Sequence, residues 1–238
     1  MFQTDPFALI VVLVGLSLIP FVAMIATSYL KIVVVMSLIR NALGIQSIPP
    51  NMVINALAMI LSFYIMAPIA SESWSAIVES QKAKIAMAGS STLQPQGYGA
   101  SAQQPATIDL SSLDLSKAAE PFRKFLSDHT SARERAFFVK TAETLWGKDG
   151  ELAEVDSESF WILLPSFCVS ELTKSFQIGF LVYLPFIAID IIVSNILLAM
   201  GMMMVSPVTI SLPFKLLLFV MVNGWTLLIQ GLVKGYLL

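Results

Sequence analysis

Cysteine and histidine are almost missing from this chain. The single cysteine, Cys168, excludes an internal disulfide and a cysteine metal cluster. The single histidine, His129, has no partner cluster around it to hold a metal. Charge is scarce as well: 13% of residues are Asp, Glu, Lys or Arg, against about 25% in a soluble domain. The net charge of -2 and the pI near 5.4 leave no basic footprint for nucleic acid, so no nucleic-acid partner is expected. No glycine-rich nucleotide loop is present, so any energy for work comes from other components. No Lys or Arg stands before the first apolar run in MFQTDPFALIVV, where a secretory signal peptide carries its positive region. The first hydrophobic segment is therefore expected to be retained.

What the chain has in abundance is apolar residues. They make up 56% of its 238 residues, and the mean hydropathy is +0.79. A soluble domain has about 45–50%. The protein is thus integral to a membrane or to a very apolar complex, with a length that allows about one domain plus an insert. The first apolar stretch, from about Phe7 to Leu30, is long enough to span a bilayer, and Pro20 is expected to kink it. After Lys31 the run continues to Leu38, then Arg40 and Asn41; Gly44 ends it, and Pro49-Pro50 forbid helix across the junction. A second stretch from Asn51 to about Ala70 completes an N-terminal hairpin, residues 1–70.

Residues 71–158 form a polar insert. Its segment 88–107 is rich in Gly, Ser, Gln and Pro, a composition that buries too little apolar surface to order itself. Residues 115–146 read as amphipathic helices, with Phe122, Phe125 and Leu126 on one face, Phe137, Phe138, Thr141 and Leu145 on another, and His129 between them as a solvated residue. Residues 159–238 are again hydrophobic. An amphipathic approach helix around Pro165 and Glu171–Lys174 is expected to lead into a span from Ile178 to Met200, kinked at Pro185; a fourth block runs from about Phe214 to the C-terminus. The positive-inside rule puts the loop with Arg40 and that with Lys215 on the cytoplasmic side, the insert and both termini outside.

Two features inside PFIAIDIIVSNILLAMGMMMVSP (185–207) point to chemistry of position rather than of reaction. Asp190 is an acid in an apolar span, which is costly and marks a buried contact or a pathway. No second acid or histidine stands near it, so an intersubunit pair or hydrogen bond is favoured over a proton relay. Lys31, Arg40 and Lys215 are its possible partners. Met200, Met202, Met203 and Met204 surround Gly201 at a helix end and cannot share one core face. Methionine is a common gap filler, but its unbranched, polarizable side chain also suits a soft constriction. Glu171 and Lys174 lie three apart on one helix face, as a surface pair or an intersubunit contact. Cys168 reads as a small buried residue. Trp74, Trp146, Trp161 and Trp225 suit either interfacial anchoring or packing.

Four separated blocks together carry a resemblance. They are Lys31–Gly44 (KIVVVMSLIRNALG) with Pro49-Pro-Asn51, Leu164–Phe180 (LPSFCVSELTKSFQIGF), Pro185–Val205, and Leu212–Phe219 (LPFKLLLF) with Asn223-Gly-Trp225. In this order they resemble the FliP/SctR export-gate proteins of type III secretion, over nearly the whole chain except the insert. Ser166 and Ser175 stand where Ala or Gly is expected, and the insert is longer than usual. The missing signal sequence favours the injectisome branch.

The resemblance implies an all-α protein of membrane-type hairpins with kinked helices, assembling into a helical multi-subunit channel. It implies a homo-pentamer joined by two small membrane proteins (FliQ/SctS-like and FliR/SctT-like), larger export-gate proteins and exported protein substrates. It implies the bacterial inner membrane, multi-pass and in contact with lipid, with the assembled core raised toward the periplasm. No cofactor and no catalytic residue are implied. Met200, Met202, Met203 and Met204 are then expected to form a pore gasket, and Lys31, Arg40, Glu171, Lys174, Asp190 and Lys215 intersubunit polar contacts. Two other readings are weaker. A small-solute transporter subunit fits poorly, because no repeat is visible and the helices are too few for a complete pathway. An intramembrane enzyme lacks clustered His and acids, or a base beside a serine.

Overall fold

A computed structural model describes residues 6–45, 48–90, 115–146 and 156–237. Eight α-helices and no strand are present among the described residues: α1 Pro6–Ile25, α2 Tyr29–Ala42, α3 Asn51–Ser90, α4 Leu115–His129, α5 Ala132–Trp146, α6 Phe160–Ala199, α7 Pro207–Met221 and α8 Gly224–Lys234. The all-α class with bent membrane-type helices is as expected. Residues 91–107 of the expected flexible insert lie outside the described residues.

Two helices, α3 over Asn51–Lys82 and α6, are each long and apolar enough to cross a membrane, and two bent pairs raise the number to as many as four. The breaks do not fall at the prolines. Pro20 sits inside α1 without ending it. The 59° bend comes between α1 and α2 instead, at Ala26–Ser28. There the Tyr29 N–H donates to Thr27 Oγ1 (3.4 Å) instead of to a backbone carbonyl. Ser and Thr hydroxyls compete with helical hydrogen bonds in this way. Pro165 and Pro185 likewise lie within α6, so the expected approach helix and span form one continuous helix of 40 residues. The expected fourth block is split: Asn223 adopts a left-handed conformation (φ 51°) between α7 and α8, which diverge by 59°. Asn tolerates that region better than most side chains. Gly44, just past the end of α2, has φ 77°.

The chain divides into two compact units. The larger comprises residues 1–66 and 129–238. Its core is built on α2, whose Ile32, Val35, Met36 and Ile39 recur at helical spacing and are buried. They pack with Ile54 and Ala58 of α3, Phe186 of α6, Phe219 of α7, and Leu228 and Leu232 of α8. The α2–α6 crossing is the most extensive in the unit. Along α6 the buried positions Ser166, Ser170, Ser175 and Gly179 are small, which lets backbones approach closely, as in membrane helix pairs. A Cβ built on Gly179 falls 2.3 Å from Leu38 Cδ1 of α2, so any larger residue there has to displace the end of the Leu38 side chain. The smaller unit, residues 67–128, holds the second half of α3 and nearly all of α4. Phe122 and Phe125 stack at 6.5 Å, and Phe125 and Leu126 are buried, in keeping with the shared face read from sequence.

Candidate functional site

The polar residues that the apolar helices carry are gathered into three clusters. The first centres on Glu171, which is fully buried in α6. Its Oε2 lies 3.1 Å from Lys31 Nζ of α2, and its Oε1 3.2 Å from Lys174 Nζ one turn along α6. The Tyr236 hydroxyl, just past α8, also donates to Oε2. Lys31 Nζ stands 3.7 Å above the Tyr236 ring, a cation–π contact. Lys174 also donates to the His129 carbonyl (2.7 Å), and the His129 ring lies 5.1 Å from that of Tyr236. Burial first, and then the Glu171 carboxylate, push the Tyr236 phenol above its ordinary range, so it remains a donor. A carboxylate with three donors is how a charge survives in an apolar interior.

The second cluster lies between α6 and α7. Lys215 Nζ, itself buried, is 2.6 Å from Asp190 Oδ2. Ser211 Oγ donates to Asp190 Oδ1 (2.6 Å). Lys215 also donates to the Ala42 carbonyl at the end of α2 (3.3 Å). That carbonyl is one of the orphan acceptors at a helix C-terminus, where a cation is favoured. In the third, Arg40 Nη1 donates to the Pro49 carbonyl (3.4 Å) and to Asn51 Oδ1, closing the turn between α2 and α3.

All six residues expected at polar contacts between subunits thus have partners inside the chain. Of the three candidate partners of Asp190, the structure selects Lys215. The Glu171–Lys174 pair is present, but it is not a surface pair, because Lys31 joins it from 140 positions away. Lys31 and Lys215 are buried in ion pairs and so mark no membrane face. His129 is half-buried against Tyr236 rather than solvated. Cys168 is also half-buried, with Sγ 3.8 Å from the Ile25 carbonyl. Trp74 and Trp161 are exposed, whereas Trp225 packs edge-on against Phe219 at 5.3 Å. Sequence reasoning missed Ser211 and Tyr236. Ser211 had a signal, since it lies four residues before Lys215 on the same helix face. Tyr236 had none.

The methionines lie in the turn between α6 and α7. Gly201 has φ 73°, the Met202 N–H donates to Leu197 O and the Gly201 N–H to Leu198 O, both at 3.0 Å. This is a Schellman ending, with glycine at the left-handed position. The turn's backbone is therefore fixed by hydrogen bonds while its side chains project outward. Met200 and Met202 are exposed, Met203 is 83% exposed, and Met204 is fully so. No cluster of three or more metal-ligating side chains occurs among the described residues.

Residues 12–232 match the FliP family model. The chain belongs to the FliP family. It is 48% identical to the Yop proteins translocation protein R of Yersinia pestis over 98% of this chain and 97% of that protein. It is 44% identical to the hypersensitivity response secretion protein HrcR of Ralstonia nicotianae over 96% of each. It is 42% identical to the virulence protein YscR of Salmonella typhimurium over 98% and 97%. The FliP membership predicted from the four sequence blocks is met, and these relatives carry translocation, secretion and virulence names.

Proposed function

We propose that this FliP-family chain is a core subunit of a type III secretion export gate of the injectisome kind, in the bacterial inner membrane. Several copies, a homo-pentamer by family resemblance, join FliQ/SctS-like and FliR/SctT-like proteins around a channel for unfolded protein substrates. The observation that carries this reading is the α6–α7 turn. Four methionines project from a hydrogen-bonded backbone, and three of them, Met202 to Met204, follow a left-handed glycine. A gap filler would be covered by its own chain, and these side chains are exposed. Brought together around an axis by several copies, the thioethers of Met200, Met202, Met203 and Met204 close the lumen to ions. Their side chains change conformation at little cost, so a passing polypeptide displaces them.

The polar clusters fit the same role. Lys31, Glu171 and Lys215 brace the helices from inside. Lys174, with 39% of its side chain exposed, Asp190, with 33%, and Arg40 offer their remaining hydrogen-bonding capacity to neighbouring copies. A solute-transporter subunit is not favoured, since the relatives are named for translocation, secretion and virulence.

The test is to co-express the chain with the two small partners, establish stoichiometry by native mass spectrometry, and reconstitute the complex in liposomes. Replacing Met202, Met203 and Met204 together by Ala is expected to leave assembly intact and raise ion leak at least tenfold. A discrete complex whose triple variant is as tight as wild type refutes the gasket. A stable monomer that ignores both partners refutes the subunit role.

A further inference from the structure

We infer that α1 and the facing first half of α3 are the part of this chain that meets bilayer hydrocarbon, while the charge-braced body of α2, α6, α7 and α8 is enclosed by protein. The inference rests on the proposed assembly and goes beyond it by assigning the lipid-contacting surface. Three observations carry it.

The first is where charge is absent. Helix α1 has no charged residue in 20 positions, and α3 has none from Asn51 to Ser71. Each of α2, α6, α7 and α8 carries at least one. Each of those in α2, α6 and α7 has a partner inside the chain, an arrangement suited to a protein interior.

The second is the distribution of exposed apolar side chains. In α1, Leu13, Leu16, Leu18, Phe21 and Val22 are 51–72% exposed and point in divergent directions around the helix. A helix apolar all round suits hydrocarbon, which surrounds it, better than a protein partner, which covers one stripe. At 1.5 Å per residue α1 is about 30 Å long, the thickness of a bilayer core.

The third is the joint. At the bend, Ala26–Ser28, Thr27 Oγ1 accepts from the Tyr29 N–H, and hydroxyls tie the joint to α3. Ser28 Oγ donates to Ser62 Oγ of α3, and Ser62 Oγ to Thr27 Oγ1, each at 3.2 Å. Such hydroxyl bonds join helices in lipid, where water is absent. Between α1 and α3 runs an apolar groove of about 360 Å³, with Met24, Met59 and Phe63 in its walls and Thr27 and Ser62 beside it. A lipid acyl chain fits that lining.

The experiment uses the co-expressed complex in vesicles of phosphatidylcholine and phosphatidylglycerol with brominated acyl chains. On a Cys168→Ser background, single cysteines replace Leu16, Phe21 or Phe63, and, for comparison, Phe180 or Leu217. Each carries a bimane probe. Quenching at the first three is expected to exceed that at the last two at least threefold. As a measurement without substitutions, a photoactivatable acyl-chain lipid is reacted with the unaltered complex. Adducts are expected in residues 13–25 and 52–63, not in 176–184. Equal quenching at all five positions overturns the inference. So do adducts spread over both regions, or α1 cysteines that cross-link between copies and escape the quencher. A failure of the complex to form is a separate result, which removes the proposed assembly and the enclosed body with it.

Discussion

Replacing Glu171 by Gln tests whether the buried charge cluster holds the larger unit together. The glutamine is nearly isosteric but carries no charge. Lys31, 4% exposed at its side chain, then lies in an apolar interior with no carboxylate. Breaking a buried pair by removing one partner costs about 3–5 kcal/mol. A domain of ordinary stability has only about 5–15 kcal/mol in total. At roughly 2–4 °C per kcal/mol for a chain of this size, the unfolding midpoint falls by about 6–20 °C. Cys168 supplies a native reporter. It is half-buried in α6, one turn before Glu171, and a thiol-reactive fluorophore labels it as that region opens. Two further variants divide the effect. Lys31→Met is expected to be tolerated better in the Glu171→Gln background than in the wild-type chain, since the two changes together leave no stranded charge. Lys174→Ala is expected to cost no more than about 1 kcal/mol, because its side chain is 39% exposed and solvent screens the pair. A midpoint for Glu171→Gln within 2 °C of wild type, or a Lys174→Ala loss equal to that of Lys31→Ala, refutes the reasoning.

Asp190→Ala strands the buried Lys215 in the same way, so the variant is expected to lose recovery of the complex with its partners before any ion leak appears; a variant that assembles normally but leaks contradicts this. Gly224→Ala places a Cβ 2.3–2.7 Å from three carbons of the Phe219 ring, which is itself packed against Trp225 and Phe186. It is expected to lower the midpoint more than Gly179→Ala, where the flexible end of Leu38 gives way, and overpacking of this kind costs about 1–3 kcal/mol. The same thermal assay ranks the two. Tyr236 is held protonated in the folded chain, so its folded value lies above its unfolded one of about 10. The stability it contributes is fully present below pH 10 and declines as pH rises beyond it, because only the unfolded chain gives up the proton readily. Tyr236→Phe is expected to have a shallower loss between pH 9 and pH 11 than wild type, measured as the shift in midpoint.

Much of this protein was legible in one dimension. Hydropathy over tens of residues fixes which segments are apolar helices, and Gly44, Pro49-Pro50 and Pro207 fix where two of the connections fall. The four blocks around Lys31, Glu171, Asp190 and Lys215 identified the family, and the Met200–Met204 run marked the turn for attention. What sequence reading did not locate were the two breaks between helices. A proline removes one donor but is tolerated inside a long helix, as Pro20, Pro165 and Pro185 are. The breaks fall where Thr27 and Asn223 offer the backbone another arrangement.

Pairing of charges was decided only by tertiary structure. Lys31 and Glu171 are 140 positions apart, and Tyr236 lies 65 beyond Glu171. No local pattern links them. They meet because the small residues of α6 let α2 lie close along it, and because α8 folds back over that crossing. Sequence determined that these charges needed partners, since an unpaired charge is too costly among apolar helices. Which partner each took depended on the packing of helices distant in the chain.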